Sequence, residues 1–369
     1  MIIAADALFH AGRLARGWLR TSGERVEDAG FGDAPGRADE RVAGVLAPGF
    51  VDVHCHGGGG AAFGTDDPDD VRRALGVHRA RGTTTLVASL VTAASDTLVA
   101  QLRLLEPFAA SGELAGVHLE GPWLSRRYKG AHDESLLADP LPERVARLVD
   151  AVPGLVRMVT LAPELKGAVE SVRLLSERGV VAAVGHTGAS YRQVRDAVAA
   201  GASGITHLFN GMPDLRHRSP GPVLGGWQSD AFLELIADGI HVDLDLVRFV
   251  MERFGHRVVL ITDAMAAAGA PDGDYVLGAL PVTVSGGVAR LTGTETIAGS
   301  TLTLDAGVRT AAEAGVPLED ALRSATELPA AYLGLRDVGT FAPGRLADAV
   351  VLDDRLEVVR VLRRGAWLS

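Results

Sequence analysis

Cysteine is nearly absent from this chain. Of 369 residues only Cys55 is one, so an internal disulfide framework is excluded and the cytoplasm is the expected compartment. Long apolar runs are missing too: no stretch of eighteen apolar residues occurs, which argues against a membrane-spanning helix. The start, Met1-Ile-Ile-Ala-Ala-Asp, lacks a basic region followed by an apolar core, so no secretory signal is expected. Positive charge is scarce, since 36 Lys and Arg face 46 Asp and Glu and the formal charge is −10. That balance disfavours nucleic acid as a partner, and it requires a local cationic pocket for any anionic substrate. With 47% hydrophobic and 22% charged residues, a sizeable core is available and long disorder is not expected. No short repeat is present beyond a rhythm of strands and helices.

That rhythm organises the chain. Residues 1–47 read as short strands broken by turns, with Trp18–Thr21 among the strands and a Gly/Asp/Pro-rich loop over Gly30–Arg41. Leu346–Leu352, Glu357–Arg363 and Gly365–Leu368 have the same texture. Together the two ends predict one small β-sandwich domain, residues 1–47 with 340–369, beside a larger domain over 48–339. In the middle, helices at Val71–Arg81, Ser95–Ala110, Leu141–Ala151, Leu165–Arg178, Tyr191–Ala200 and Leu244–Phe254 alternate with strands. The strands are Phe50–Val53, Thr83–Leu90, Ala115–Leu119, Val156–Leu161, Val180–Val184, Gly204–Leu208, Phe232–Ala237 and Val258–Ile261. Strands near-continuous in Val, Ile, Leu and Ala indicate a parallel sheet covered on both faces. Eight such units over about 280 residues favour a closed (β/α)8 TIM-type barrel over a doubly wound sheet.

Chemistry in such barrels gathers at the carboxyl ends of the strands, and the polar residues of this middle region fall there. The first strand ends in His54-Cys55-His56 and four glycines. Strand alternation predicts His54 and His56 on one face, with Val51, Val53 and Cys55 on the other. Two imidazoles about 6–7 Å apart along a strand can converge on one metal ion, and glycines leave room above them. A buried strand end with two incidental polar residues fits the same pattern. Cys55 reads as a small core residue. Glu120, His186, His207, Asp238 with His241, and Asp263 follow later strands. His118, two residues before Glu120 on the same face, is expected to support a ligand rather than be one. His10, His78 and His256 are expected at the surface, and His217 is left open.

Nine motifs carry a resemblance. They are PGFVDVHCHGGGG (Pro48–Gly60), HLEGPWLS (His118–Ser125), KGAH (Lys129–His132), GHTGA (Gly185–Ala189), THLFNGM (Thr206–Met212), RSPG (Arg218–Gly221), ADGIHVD (Ala237–Asp243), TDAM (Thr262–Met265) and IAGSTLT (Ile297–Thr303). With them the chain resembles the N-acetylglucosamine-6-phosphate deacetylase family of the amidohydrolase superfamily, from the first strand to the last barrel helix. The resemblance implies that Glu120, His186 and His207 hold a divalent metal. Two nitrogens and a carboxylate with an open fourth position suit a hydrolytic metal. It also implies a second ion on His54 and His56 with Glu120 bridging, hence one or two ions per subunit. Zinc suits such a nitrogen-rich site, and so do iron, cobalt and manganese. Asp263 is the implied catalytic carboxylate, though it could also cap the following segment, and His132 is implied beside the substrate amide. Ala131, Asn210, Gly211, Arg218, His241, Ile297, Ala298 and Gly299 are the implied contacts to sugar and phosphate. A homodimer in which Arg218 reaches the neighbouring site is implied as well. Read alone, Arg218 could be a solvated loop charge and His241 a helix cap.

The implied reaction is hydrolysis of the 2-acetamido group of N-acetyl-D-glucosamine 6-phosphate to glucosamine 6-phosphate and acetate. The chain departs from the family pattern at Ser125-Arg126-Arg127-Tyr128, which lacks a proline after the serine, and at Gly211, where alanine is common. Three rivals remain. A cyclic-amide hydrolase would more often use a carboxylated lysine on the fourth strand, and Val156–Glu164 contains no lysine. A deacetylase for the galactosamine epimer would keep every motif. A non-catalytic scaffold should have lost ligands, and none is missing here.

Overall fold

The computed structural model describes residues 1–368. Eight parallel strands form one sheet in sequence order: Phe50–Cys55, Thr83–Val91, Gly116–Glu120, Val156–Leu161, Val181–Val184, Gly204–Ile205, Phe232–Leu235 and Val258–Leu260. The sheet closes on itself where the Asp263 N–H donates to His54 O at 2.8 Å and the His56 N–H to Ala264 O at 2.7 Å. The result is the expected (β/α)8 barrel. Alternate strand residues split between two apolar layers. Leu86, Ala88, Leu119, Leu233 and Leu260 pack outward with helix residues such as Leu98 and Val172, while Val87, Met158, Ala183 and Val259 fill the interior. Helix Ser95–Ala110 buries Leu98, Leu102, Leu105 and Phe108, the spacing of one helical face.

The first strand departs from the expected alternation. Register shifts after Phe50 and between Asp52 and Cys55 place Val51 and Val53 in the inner layer, while Cys55 joins the outer one. A bulge supplies one residue more than the partner strand needs, so inward valines and inward histidines coexist on one strand. The sixth strand is also shorter than expected, because His207 (φ 27°) and Phe209 (φ 81°) leave extended geometry at once. After the eighth strand comes an unexpected antiparallel sheet of Gly273–Leu277, Leu280–Ser285 and Val288–Leu291. A short helix, Gly221–Trp227, joins the sixth and seventh strands.

Both chain ends build a second sheet of seven strands. Its order is Ala366–Trp367, Val358–Arg363, Ala349–Leu352, Glu40–Pro48, Ile2–His10, Arg13–Ser22, Arg25–Phe31. Hydrogen bonding is continuous, so the expected sandwich is one sheet curled on itself rather than two. The Val26 N–H reaches Arg345 O and the Ala347 N–H reaches Glu24 O, both at 2.8 Å. Ile3, Leu8, Leu19, Leu46, Val351 and Leu362 fill the curl.

Two histidines are not where the sequence put them. His78 is fully buried, with Nε2 2.9 Å from Gly57 O and 3.2 Å from Cys55 Sγ. A carbonyl can only accept, so Nε2 carries the proton and ties helix Pro68–Ala80 to the glycine turn. His10 is half-buried against the Phe31 ring, 5.8 Å away. No helix among the described residues is long and apolar enough to cross a membrane.

Candidate active site

The strand ends deliver His54 and His56, Glu120, His186, His207 and Asp263 to one mouth of the barrel. All six are buried, with exposures between 0% and 8%. Three stand in the left-handed backbone region: His186 at φ 45°, His207 at 27° and Asp263 at 50°. That conformation costs of order 1–3 kcal/mol for a residue other than glycine. It turns the chain sharply off each strand while the side chain still faces the mouth. The His186 ring lies in a slot between two glycines. A Cβ at Gly211 (φ +61°) would stand 2.8 Å from its Nδ1, and one at Gly130 (φ +53°) 3.0 Å from its Cε1.

Hydrogen bonds fix the tautomers. His186 Nδ1 is 2.8 Å from Tyr128 O and His207 Nδ1 is 3.1 Å from Asn210 O. Both Nδ1 atoms therefore donate, and in the neutral ring each Nε2 keeps a bare lone pair. Those lone pairs lie 3.1 Å from each other and 3.1 and 3.0 Å from Glu120 Oε1. Three acceptors at such distances repel unless a cation sits among them. His54 repeats the pattern: Nδ1 faces the Glu234 carboxylate at 3.1 Å, and Nε2 is 3.2 Å from His56 Nε2 and 3.4 Å from Asp263 Oδ1. His56 Nε2 in turn is 3.1 Å from Glu120 Oε2 and 3.2 Å from Asp263 Oδ1. Glu120 thus stands between the two groups, with Oε2 beside His56 and Oε1 beside His186 and His207 and 3.6 Å from His54 Nε2. The donor set fits divalent cations.

Protons and metal ions compete for these positions. Burial pulls the His54 imidazole down, but the Glu120 and Asp263 carboxylates outweigh it and raise it well above its ordinary value. His56 is raised likewise against burial, by Asp263 and Glu120. Burial would raise the Glu120 carboxyl, yet His54 and the hydrogen bonds from His132, His186 and His207 hold it well below the usual range. Asp263 is depressed too, with His54 and His56 overcoming burial.

His132 differs. Burial lowers it to about 4, so its ring is neutral at neutral pH. Its Nδ1 lies 3.4 Å from the Thr92 N–H and 2.9 Å from Thr92 Oγ1. A backbone N–H can only donate, so Nδ1 accepts and Nε2 carries the hydrogen. His118 stands behind the cluster, its nitrogens bonded to Ser89 Oγ at 3.0 Å and Thr160 Oγ1 at 2.8 Å.

The remaining candidates spread around the mouth. Ala131 and Ala298 pack in one apolar cluster with Met265 and Ala267. Gly299 and half-buried Ile297 flank Ala298, and the Ser300 N–H donates to Asp263 O at 2.7 Å. Asn210 and Gly211 sit beside the His207 and His186 rings. His241 Nδ1 is 2.7 Å from Asp238 Oδ2; burial opposes its charge, but Asp238 raises the imidazole, and His241 lowers Asp238 against burial. Arg218 stands apart, exposed in a loop and without a hydrogen bond or ion pair among the described residues.

Several residues of the site escaped the sequence reading. Glu234, fully buried, accepts from His54 Nδ1 and, at 3.2 Å, from Tyr332 O–H. Asp52 accepts from Thr262 O–H at 2.6 Å and from the His54 N–H at 3.2 Å. Glu164 holds the loop after His186, accepting from Thr187 O–H at 2.5 Å and the Gly188 N–H at 2.7 Å. A lone glutamate within the apolar strand Phe232–Leu235 was the available signal for Glu234.

Comparison with known proteins agrees with this geometry. The profile of the amidohydrolase family matches residues 45–368. An N-acetyl-D-glucosamine-6-phosphate deacetylase variant from Mycobacterium smegmatis, solved with N-acetyl-D-glucosamine-6-phosphate, superposes with a TM-score of 0.97. It is 45% identical, over 100% of this chain and 98% of that one. An N-acetylgalactosamine-6-phosphate deacetylase from Escherichia coli O157:H7 is 38% identical, over 96% of each chain. The Homo sapiens N-acetylglucosamine-6-phosphate deacetylase is 37% identical, over 95% of this chain and 91% of its own. A barrel mouth lined by metal-competent histidines, and kinship along the whole chain, make this protein a member of the amidohydrolase family, among the N-acetylglucosamine-6-phosphate deacetylases.

Proposed function

We propose that this protein hydrolyses the 2-acetamido group of N-acetyl-D-glucosamine 6-phosphate, releasing glucosamine 6-phosphate and acetate. The observation that carries the reading is the ring of bare Nε2 lone pairs around Glu120, with one histidine fixed as a hydrogen donor beside it. In this reading Glu120, His186 and His207 would hold one divalent ion, and His54 and His56 a second that Glu120 bridges. Zinc is the expected metal, with iron, cobalt and manganese able to replace it. A bound divalent ion supplies Lewis acidity to an amide carbonyl and lowers the pKa of water towards about 7.

The chain's own residues do the rest. His132 donates its Nε2–H to the carbonyl oxygen and offsets the charge that develops there. Asp263 accepts the proton of the attacking water at Oδ1 and delivers it to the amine, which is too basic to leave unprotonated. His241, kept protonated to higher pH by Asp238, offers positive charge to the phosphate. Asn210 and Gly211 contact the sugar phosphate, while Ala131, Ile297, Ala298 and Gly299 border the sugar. Arg218 completes the phosphate site of the neighbouring subunit in a homodimer, which accounts for a solvent-facing arginine in a protein of charge −10. The barrel over 48–339 carries the site and the curled sheet of 1–47 with 340–369 supports it, in a cytoplasmic enzyme.

The test is acetate release from N-acetylglucosamine 6-phosphate and from its galactosamine epimer, with metal content measured by elemental analysis. Turnover of the gluco substrate, lost on chelation and restored by a divalent metal, is expected. Silence on both sugar phosphates in metal-replete protein overturns the reading, and faster release from the epimer moves the substrate.

A further inference from the structure

We infer that the site also accepts N-acyl groups longer than acetyl, seated in a side cavity across the metal cluster from the sugar. This inference rests on the deacetylase reading and deepens it. A cavity of about 340 Å³ opens beside His56, walled by Thr92, Ala93, Leu136, Leu277 and Ala279. These residues come from the ends of the first two barrel strands, the approach to helix Ser95–Ala110, the turn Glu134–Leu136 after the third strand, and the hairpin Gly273–Ser285. No Asp, Glu, Lys or Arg is among its lining residues. An uncharged chain therefore suits it better than a second sugar or a phosphate.

Position ties the cavity to the acyl side of the scissile bond. Thr92, on its wall, also holds His132 at Nδ1, and His132 is the donor assigned to the carbonyl oxygen. Asn210, Gly211 and His241, the sugar-phosphate contacts, follow the sixth and seventh strands. In the closed barrel the sixth strand lies opposite the second, and the seventh is separated from the first by the eighth, so neither adjoins the strands that wall the cavity. A secondary amide is planar and trans, so the sugar and the acyl chain leave it in opposite directions. With the sugar towards His241, the acyl carbon points at the cavity. A methyl group needs about the room of one water, roughly 10–15 Å³ by this measure, and the cavity offers far more. The chemistry is unchanged: water oxygen bonds to the carbonyl carbon, the C–N bond breaks, and the amine takes the proton from Asp263. The leaving carboxylate is simply longer.

Two arms test the inference. The first compares kcat/KM for N-acetyl, N-butyryl and N-hexanoyl glucosamine 6-phosphate. Butyryl within tenfold of acetyl is expected. Filling the cavity with Ala279→Phe, or with Ala93→Leu, should then depress the longer substrates at least tenfold more than acetyl. Ala279 is exposed on a hairpin turn, so its variant folds even if the half-buried Ala93 variant does not. The second arm needs no sugar: acetate, butyrate and hexanoate are titrated calorimetrically into metal-replete protein. Burial of each added methylene should tighten binding about fourfold, and Ala279→Phe should flatten that trend. Tightening with length, together with silence on every sugar phosphate, upholds the cavity and removes the substrate reading. A drop of more than a hundredfold from acetyl to butyryl, or carboxylate affinity indifferent to chain length, overturns the inference.

Discussion

Single atoms decide what each histidine of the mouth does. His186 and His207 give their protons to backbone carbonyls and keep Nε2 bare, whereas His132 receives a hydrogen bond at Nδ1 and keeps its proton on Nε2. The same residue type thus presents a bare Nε2 lone pair at His186 and His207 and an Nε2–H at His132. Asp263 Oδ1 lies 3.4 Å from His54 Nε2 and 3.2 Å from His56 Nε2, at the end of the eighth strand, and is the carboxylate proposed to move the proton. Asp263→Asn should lower acetate release about 10²–10⁴-fold while metal analysis shows most of the ion retained. Glu234 sets the His54 tautomer and adds a negative charge behind it. Glu234→Gln keeps an acceptor but loses that charge, and should weaken the ion proposed on His54 and His56 roughly 10–100-fold in metal titrations, leaving the one on His186 and His207 in place. The Asp238–His241 pair makes a pH prediction. His241 is raised, so its contribution is full below the unfolded value and fades as pH climbs through the folded one. Asp238 is lowered, so its contribution is full above the unfolded value and fades as pH falls through the folded one. Wild type should exceed Asp238→Asn in unfolding free energy most between about pH 4 and 6.5, with the gap closing on both sides in urea titrations.

Elements show why some of this was legible in sequence. Helices Ser95–Ala110 and Leu244–Phe254 match their sequence-derived bounds because amphipathic periodicity sets helix extent. The strand ends were legible too, since a parallel barrel leaves polar residues no other place to gather. The bulge in the first strand was not, because a register shift depends on the partner strand and leaves no mark on the strand's own residues. The three-stranded sheet over 273–291 was not foreseen, and two glycines within it, Gly278 and Gly286, make its turns at φ +58°. His78 was misplaced although Val71, Ala74, Leu75 and His78 share one face of their helix, a pattern that gives polarity less weight than position. Its proton ties that helix to the carbonyl of Gly57. His78→Leu should cost about 1–3 kcal/mol by stranding that buried acceptor, read as a lower urea midpoint at unchanged m-value.

On the scale of the whole molecule, the charge balance bears on Arg218, proposed above to serve a neighbouring subunit. A protein of charge −10 must gather its anionic substrate with very few cations, and this one faces solvent within its own chain. A charge-assisted contact to phosphate is worth about 1.5–3 kcal/mol. Arg218→Ala should therefore raise KM for the 6-phosphate roughly tenfold or more, with little change for unphosphorylated N-acetylglucosamine and with dilution to monomers mimicking it. Equal losses on both sugars would assign the arginine to structure instead. The curled sheet has a consequence in time rather than in space. Its central ladder pairs Pro48 with Ala349, so a ribosome must make almost the whole chain before strand Glu40–Pro48 finds its second neighbour. Until then Ile2–His10 and Glu40–Pro48 form a sheet with a bare, apolar edge, an open invitation to a neighbouring nascent chain. Completion of the barrel, which brings Ala349 alongside, ends that exposure.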